Sequence, residues 1–264
     1  MLSIKKINEA LSKIPFGDAT KFTDFFKKYD AIVFFDTETT GLSPYKNDSL
    51  GQRIQLVEGA ALRVEYLVGR PVVTQSFDDF VKIGDNGIIP PEIVRFNEQN
   101  YTGINDELLK NKGISEKEMA LEFKKIIEGN VLLCAYNAQF DICFINEMFK
   151  QTGMKEYLNF KDVIDPMTIF KTLKPFKYYD IKQKVEINGH KLCAATIYYD
   201  VDKYVVNSHR AIDDTIALYA VFRKMVESSN DAPKFINKIG YHCKYGLNGK
   251  KHPKVDYFPQ SYVH

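Results

Sequence analysis

Residues 31–42 have the sequence Ala31-Ile-Val-Phe-Phe-Asp-Thr-Glu-Thr-Thr-Gly-Leu42, in which an apolar run leads directly into two carboxylates. The run is typical of a buried strand, and successive side chains of a strand alternate between its faces. Asp36 and Glu38 therefore project to the same side. Two ionised carboxylates that close repel each other, and burying either one unpaired is costly. The pattern predicts either a solvated strand end or a site for a hard divalent cation with oxygen ligands.

Length and composition bound the class of protein. The chain has 264 residues, of which 45% are hydrophobic, so it can bury a full core in one large α/β domain or in one domain with appendages. Its four cysteines form no C-x-x-C pair, which favours a reduced setting over a disulfide framework. The lysine-rich N-terminus has no signal-peptide core, and no apolar run is long enough to cross a membrane. We expect a cytoplasmic protein with no membrane partner.

The distribution of charge says more than the formal net charge of +2. Two segments, 171–191 and 228–264, each carry six lysines against two acidic residues, with aromatic side chains between them. Such segments can bind a phosphate backbone and stack on bases. The same composition fits solvated lysine faces and core aromatics equally well, and the sequence leaves both interpretations open.

The order of elements predicts the architecture. The predicted elements are one or two helices in 3–29, paired strands at 54–67 and 72–83, helices at 92–96 and 115–128, a strand at 131–135, a helix at 137–151, a strand at 163–165 and mainly helix after it. Ser115 followed by Glu118 has the spacing of a capping box. Helices that alternate with short apolar strands after an opening hairpin predict an α/β fold with a mixed β-sheet flanked by helices.

Asp141 lies on a helix face that otherwise points inward. In the helix that follows the strand at 131–135, it shares a stripe with Ile145 and Met148. An acidic residue in a first helical turn also complements the helix dipole, and that is the plainer explanation of it. The inward stripe favours a ligand role.

Asp214 occupies a comparable position in the last long helix. It lies at the edge of the apolar stripe, beside Ala211 and Leu218, whereas Asp213 points toward solvent or a surface ion pair. His209 comes five residues before Asp214, at or just before the helix start, from where it can reach the same site.

Three motifs, in this order, carry a resemblance to a known family: D-x-E-T-T-G-L at 36–42, N-A-x-F-D at 137–141 and H-x-A-x-x-D at 209–214. They resemble the motifs of the DEDD exonuclease superfamily. A histidine five residues before the last Asp is typical of its DEDDh branch, the DnaQ-like exonucleases. The sister branch has a tyrosine four residues before that Asp, where this chain has Arg210.

The resemblance implies a domain arrangement and a fold. The chain is similar to the proofreading exonucleases of bacterial replicative polymerases, and more loosely to RNase T, oligoribonuclease and the Trex enzymes. It implies an RNase H-like exonuclease domain at 29–227, preceded by a helical extension at 1–28. The irregular basic and aromatic tail at 228–264 would pack on the domain.

The resemblance also implies the chemistry of a metal-dependent 3′-to-5′ exonuclease that hydrolyses DNA and releases nucleoside monophosphates. Asp36 would bridge two divalent cations, Mg²⁺ or Mn²⁺, which Glu38, Asp214 and Asp141 would help to hold. His209 would be the general base, since an imidazole with an unperturbed pKa of about 6.5 can take a proton from water near neutral pH.

Further residues are implied to contact the substrate. In relatives, the residues just after the first acidic pair grip the terminal nucleotide, which here are Thr39, Gly41 and Leu42, with Leu42 wedged against the terminal base. Asn137 and Phe140 are further candidates, although Asn137 also suits a plain helix cap. The implied partners are nucleic acid with a free 3′ end, above all single-stranded or frayed DNA, and a DNA polymerase or another replication or repair protein.

Two alternatives remain. The same four acids would serve an exoribonuclease that trims RNA or short oligonucleotides, because the residues that sense a 2′-hydroxyl are not identifiable in the sequence. A non-catalytic nucleic-acid or polymerase-binding module on the same fold is the third interpretation. Such a module would be expected to lack an acid or the histidine, and none is missing.

Overall fold

The computed structural model describes residues 3–84, 87–154, 158, 161–172, 177–180, 185–206 and 208–238, with the backbone alone at 177–180 and 185–188. The expected basic tail is therefore described only as far as residue 238, and the rest of it lies outside the described residues. The same holds for parts of the lysine-rich segment 171–191.

Helices and strands follow one another through the chain. The helices are α1 (Ile4–Ser12), α2 (Thr23–Lys28), α3 (Pro91–Asn100), α4 (Asp106–Lys112), α5 (Glu116–Ile126), α6 (Ala138–Gln151), α7 (Pro166–Lys171), α8 (Leu192–Tyr198) and α9 (Ala211–Ser228). The strands are β1 (Ala31–Thr39), β2 (Leu56–Leu67), β3 (Arg70–Phe80), β4 (Val131–Cys134), β5 (Asp162–Ile164), β6 (Lys177–Asp180) and β7 (Val185–Asn188). The predicted capping box of α5 is present, with Ser115 and Glu118 bonded reciprocally.

The central sheet is mixed and has the strand order β3-β2-β1-β4-β5. Strand β1 pairs antiparallel with β2 and parallel with β4, and β4 continues in parallel to β5. The hairpin between β2 and β3 turns at Val68 and Gly69, whose φ angles of 51° and 75° are both left-handed. Pro71 is tolerated in β3 because that strand is at the edge of the sheet. The predicted mixed sheet flanked by helices is confirmed.

The apolar run of β1 is buried because helices cover both faces of the sheet. Ile32 and Phe34 point into a core shared with α9, whereas Val33 and Phe35 point into a second core with α5 and α6. This alternation is the period of two that a strand imposes. Asp36 and Glu38 continue the same two-residue rhythm beyond the apolar run, and so reach the carboxyl end of β1 together.

The N-terminal helices are part of the first core. Phe22 and Phe25 are fully buried, and their rings contact Phe222 of α9 at centroid distances of 6.1 and 5.7 Å. Phe34 of β1 lies 5.6 Å from the same ring. The segment before β1 therefore packs against α9, the helix that carries Asp214, on one face of the sheet.

Two elements differ from the sequence prediction. The region after β5 was predicted to be mainly helical, but β6 and β7 form a separate antiparallel pair there. The Tyr-Tyr and Val-Glu-Ile sequences in these strands have the β-branched and aromatic residues that favour extended chain. Helix α9 begins at Ala211 rather than near residue 209, because His209 has a left-handed backbone with a φ of 52°.

Within the described part of the chain, we find no helix with the length and apolar character that a membrane span requires.

Replacing Phe25 with alanine tests the role of the N-terminal segment in the core. Because its ring is buried against Phe222, we expect Phe25→Ala to lower the free energy of unfolding by about 3–5 kcal/mol in a denaturant titration. Leu121→Ala is the control, since Leu121 on α5 is exposed and its loss should change stability by less than about 0.5 kcal/mol. Equal effects of the two substitutions would show that the segment does not contribute to the core.

Candidate active site

The first acidic pair lies where β1 leaves the core. Asp36 and Glu38 are partly buried, and their neighbours across the antiparallel pair on β2 are Ala60 and Glu58. The pairing register shifts between Glu38 and Thr39, so the ladder becomes irregular directly after the second carboxylate. The strand thus presents both carboxylates at its end.

Asp141 in the first turn of α6 is tied directly to β1. It is only 2% exposed. Its Oδ1 atom accepts hydrogen bonds from the backbone N–H of Thr37 at 3.0 Å and from the Thr37 hydroxyl at 2.8 Å. Since Thr37 lies between Asp36 and Glu38, these bonds fix α6 against the strand that carries the first pair. The position fits both the ligand role and the helix-dipole explanation.

Asp214 and His209 complete the group from α9 and the loop before it, on the face of the sheet opposite to α6. Ligand atoms of Glu38, His209 and Asp214 all lie within 4.8 Å of one another, a spacing that a single cation could bridge. Among the described residues, this is the only group of three or more acidic, histidine or cysteine side chains that meets this spacing. Asp213, by contrast, accepts a hydrogen bond from the Ser208 hydroxyl at 2.5 Å.

The electrostatics of the site follow from burial and like charge. Burial is the largest cause of a raised pKa at all four carboxyls, and repulsion from neighbouring carboxylates adds to it. The pKa values of Asp36 and Glu38 are raised well above their ordinary range, and those of Asp141 and Asp214 are raised to about 7. The hydrogen bonds from Thr37 act in the opposite direction on Asp141.

This donor set fits divalent cations. The charges of Asp141 and Asp214 raise the pKa values of both Asp36 and Glu38, so added positive charge among these groups would offset the repulsion. A group dominated by carboxylate oxygen suits Mg²⁺ or Mn²⁺ better than softer metals.

Glu58 on β2 is a fifth carboxylate of the site, and the sequence analysis missed it. It is fully buried, its Oε1 atom accepts a hydrogen bond from Arg210 Nε at 2.8 Å, and Arg210 Nη2 lies at 2.8 Å from the same oxygen in an ion pair. Burial raises its pKa to about 7, against the opposing effect of the Arg210 charge. The available signal was a lone acidic residue inside the apolar run from Leu56 to Val64.

The residues expected to grip a nucleotide lie beside the acidic cluster. The Thr39 hydroxyl donates to the Gly41 carbonyl at 2.6 Å, which stabilises the turn. The structure supplies its own reason for glycine at position 41, since an added Cβ would meet the end of the Ile54 side chain at 2.8 Å. Leu42 is 51% exposed, so this apolar side chain remains open to a ligand.

The prediction that the Asn137 side chain caps α6 is wrong. Its φ is 66° and its side chain makes no capping hydrogen bond. Instead, its backbone N–H donates to Oδ1 of the fully buried Asp165, at 3.0 Å. The left-handed backbone, which Asn tolerates better than most residues, turns the chain sharply from β4 into α6. Phe140 is half-buried, and its ring lies 5.0 Å from that of Phe144.

Phe96 is a further residue that sequence reasoning did not find. It is exposed on α3, and its ring meets the His209 ring edge-on at 5.4 Å between centroids. Its signal in the sequence is weak, because an aromatic residue in a short amphipathic helix is usually part of the core.

Comparison with known protein families identifies the chain's relatives. The family model described as RNase T exonuclease matches residues 33–222. The DNA polymerase III PolC-type of Ureaplasma parvum is 29% identical over 193 residues, which are 73% of this chain and 11% of that protein. That of Halalkalibacterium halodurans is 31% identical over 201 residues, which are 76% of this chain and 12% of that protein. The chain thus spans about a tenth of the length of these relatives.

Solved structures share the fold. Exonuclease I of E. coli, in complex with a dT13 oligonucleotide, superimposes with a TM-score of 0.60 and 17% identity over 78% of this chain and 42% of that one. S. pombe Pop2p, in a form with bound Mg²⁺ and Mn²⁺, has a TM-score of 0.57 and 12% identity over 88% of this chain and 96% of that one. With its motifs, its fold and a family match across most of its length, the chain belongs to the RNase T family of exonucleases, in the DEDDh, DnaQ-like group.

Proposed function

We propose that this chain is a metal-dependent 3′-to-5′ exonuclease that hydrolyses DNA and releases nucleoside monophosphates. The observation that carries the proposal is the group of Glu38, His209 and Asp214 within 4.8 Å of one another. Asp36 and Asp141 lie close enough to this group for their charges to act on it. Membership of an exonuclease family supports the same activity.

Asp36, Glu38, Asp141 and Asp214 would hold two divalent cations, Mg²⁺ or Mn²⁺. When bound, such cations supply an activated water, neutralisation of the charge that develops on the phosphate, and stabilisation of the leaving 3′ oxygen. The four acids bring four negative charges, which match two divalent cations. Thr37 keeps Asp141 oriented toward the first pair through its two hydrogen bonds.

His209 is the proposed general base. It is exposed, it lies beside Glu38 and Asp214, and an edge-on contact with Phe96 supports one side of its ring. An imidazole at this position can take the proton of the attacking water and pass it to solvent.

The terminal nucleotide would lie against the turn that follows β1. Thr39, Gly41 and Leu42 form this turn, and the exposed Leu42 side chain would pack on the terminal base. Asn137 and Phe140 are proposed as further contacts at the start of α6. The proposed substrate is a frayed or single-stranded 3′ end.

We further propose that the chain acts on DNA in replication or repair, in the cytoplasm and in association with a DNA polymerase. The relatives that support this are replicative polymerases, of which the chain matches one part.

An assay on end-labelled substrates tests the activity. We expect wild-type protein with Mg²⁺ or Mn²⁺ to shorten single-stranded DNA and the mismatched end of a duplex from the 3′ end. Asp36→Ala should remove this activity, since it deletes a carboxylate at the centre of the cluster, while Asp202→Asn at an exposed position should retain it. RNA of the same sequence is assayed in parallel. If RNA is degraded faster than DNA, RNA becomes the proposed substrate.

Replacing His209 tests the proton-transfer role. We expect His209→Ala to lower kcat roughly 10²–10⁴-fold, the usual contribution of a general base. Mg²⁺ binding measured by calorimetry should persist, because the four carboxylates remain. Loss of Mg²⁺ binding in this variant would instead make His209 a metal ligand.

The raised pKa values predict that metal binding and pH are coupled. In the folded chain the carboxyls of Asp141 and Asp214 have pKa values of about 7, whereas unfolded carboxyls lose their protons near pH 4. The folded state therefore binds more protons between these limits, so without metal the site destabilises the fold as pH rises. Bound Mg²⁺ should remove this penalty.

Thermal unfolding with EDTA or with millimolar Mg²⁺ measures this coupling. We expect Mg²⁺ to raise the Tm by about 5 °C at about pH 8, and by much less at about pH 5, where protons already neutralise the site. The control is Asp36→Asn combined with Glu38→Gln, which should show little Mg²⁺ response at either pH. If Mg²⁺ raised the Tm of the wild-type protein equally at both pH values, the assignment of these carboxylates as the Mg²⁺ ligands would be contradicted.

A further inference from the structure

Glu58 occupies an unusual position for a carboxylate. It is fully buried in β2, and it lies directly opposite Glu38 in the antiparallel pair with β1. A negative charge at this place is close to the acidic cluster, and it raises the pKa values of Glu38 and Asp214 further. Such a residue weakens the fold unless it has a specific partner.

Arg210 is that partner, and it reaches Glu58 from the loop before α9. Its Nε donates to Glu58 Oε1 at 2.8 Å, and its Nη2 lies at 2.8 Å from the same oxygen in an ion pair. The guanidinium also lies over the ring of Phe80 on β3, at 4.8 Å from the centroid. Arg210 is therefore held by charge, by a hydrogen bond through Nε and by stacking.

The second oxygen of Glu58 fixes the start of the helix. Oε2 accepts from the backbone N–H of Ala211 at 3.2 Å, the first residue of α9. That N–H has no acceptor within the helix itself. The backbone N–H of Asp214 donates to the Arg210 carbonyl at 3.0 Å, which completes the first turn. The same carboxylate thus anchors both the arginine and the turn that presents Asp214.

His209 is the residue directly before this anchor. Its backbone φ of 52° is uncommon for a residue other than glycine, and it costs conformational energy. On one side, the Ser208 hydroxyl donates to Asp213 of α9 at 2.5 Å. On the other side, Arg210 is bound to Glu58. The strained residue is therefore held between two attachments.

We propose that Glu58 and Arg210 act as one positioning unit that holds His209 and the first turn of α9 in the arrangement required for hydrolysis. The unit touches neither the scissile phosphate nor the attacking water. It joins β2, which lies next to the strand of the first acidic pair, to the segment that carries the other half of the site. This inference rests on the proposed exonuclease function.

Substitution of each partner, and of both, tests the proposal. Because misplaced groups lower the rate of the chemical step, we expect Glu58→Gln and Arg210→Gln each to lower kcat by about 10–100-fold. The KM for a single-stranded oligonucleotide should change less than about twofold, since the substrate contacts remain. The double variant should lose no more activity than either single variant, because one unit is removed in each case.

Two control variants separate geometry from charge and from general stability. Arg210→Lys keeps the positive charge but lacks the guanidinium Nε donor and the planar group that stacks on Phe80, so we expect it to lose at least about tenfold in kcat. Glu65→Gln removes the acidic partner of Arg63, an ion pair of 2.9 Å on the same strand, and should leave kcat unchanged. All assays are run well below the Tm of each variant, and the double variant leaves no unpaired buried charge.

A spectroscopic measurement tests the positioning without any substrate. The chain has five histidines, so the ring signal of His209 can be assigned by its absence in the spectrum of His209→Ala. That ring lies beside Phe96, and its chemical shift depends on the contact. We expect the signal to move in Glu58→Gln and in Arg210→Gln, and to stay in place in Glu65→Gln.

The outcomes are distinct. An unchanged kcat, full activity in Arg210→Lys, or additive losses in the double variant would overturn the proposal, and so would an unmoved His209 signal. If wild-type protein degraded no nucleic acid, the proposed function would fail, while the His209 signal would still decide whether the pair positions the histidine.

Discussion

Repulsion among the carboxylates that meet at the end of β1 is the constraint that the contacts around the site have to balance. Asp36 and Glu38 arrive there because the strand places alternate side chains on one face, and Asp141 and Asp214 arrive on the first turns of two separate helices. Burial and like charge raise the pKa of every one of them. Without metal, protons bound by these carboxyls relieve part of the repulsion, and the surrounding core and hydrogen bonds oppose the rest.

Each half of the site has its own set of hydrogen bonds that holds the acids in place. On the α6 side, Thr37 donates two hydrogen bonds to Asp141, and Asp165 accepts from the backbone at Asn137, where the chain turns into the helix. On the α9 side, Glu58 accepts from Arg210 and from the helix start. Both sets connect a helix to a sheet strand or a neighbouring loop, so the acids are fixed by contacts between elements rather than within them.

Sequence reasoning predicted the parts of this protein that depend on local periodicity. The strand at residue 31, the capping box at Ser115 and the acids on inward helix faces all follow from spacing along one element. The mixed sheet followed from the order of elements. The four acids and the histidine could be proposed as a site because their motifs are each contained in a short stretch of sequence.

The features that escaped prediction depend on which elements meet. The role of Glu58 depends on two contacts between elements. The β1–β2 register places it opposite Glu38, and the loop before α9 brings Arg210 to it. The left-handed backbone of His209, just before α9, also has no signal in the sequence, and its neighbours Ser208 and Arg210 are bound to Asp213 and Glu58. Glycine at position 41 also has a packing explanation that the sequence does not show, since an added Cβ would lie 2.8 Å from the end of the Ile54 side chain.

The pairing of β1 with β2 also determines where the chain can tolerate changes in length. A single residue inserted between Ala31 and Asp36 would turn the carboxylates toward the opposite face of the sheet and the apolar side chains with them. By contrast, residues 43–53 lie outside the main sheet, so a change in their number would not reverse the faces to which the side chains of β1 point. The site thus requires a fixed count of residues along the strand, a requirement that does not apply to the neighbouring loop.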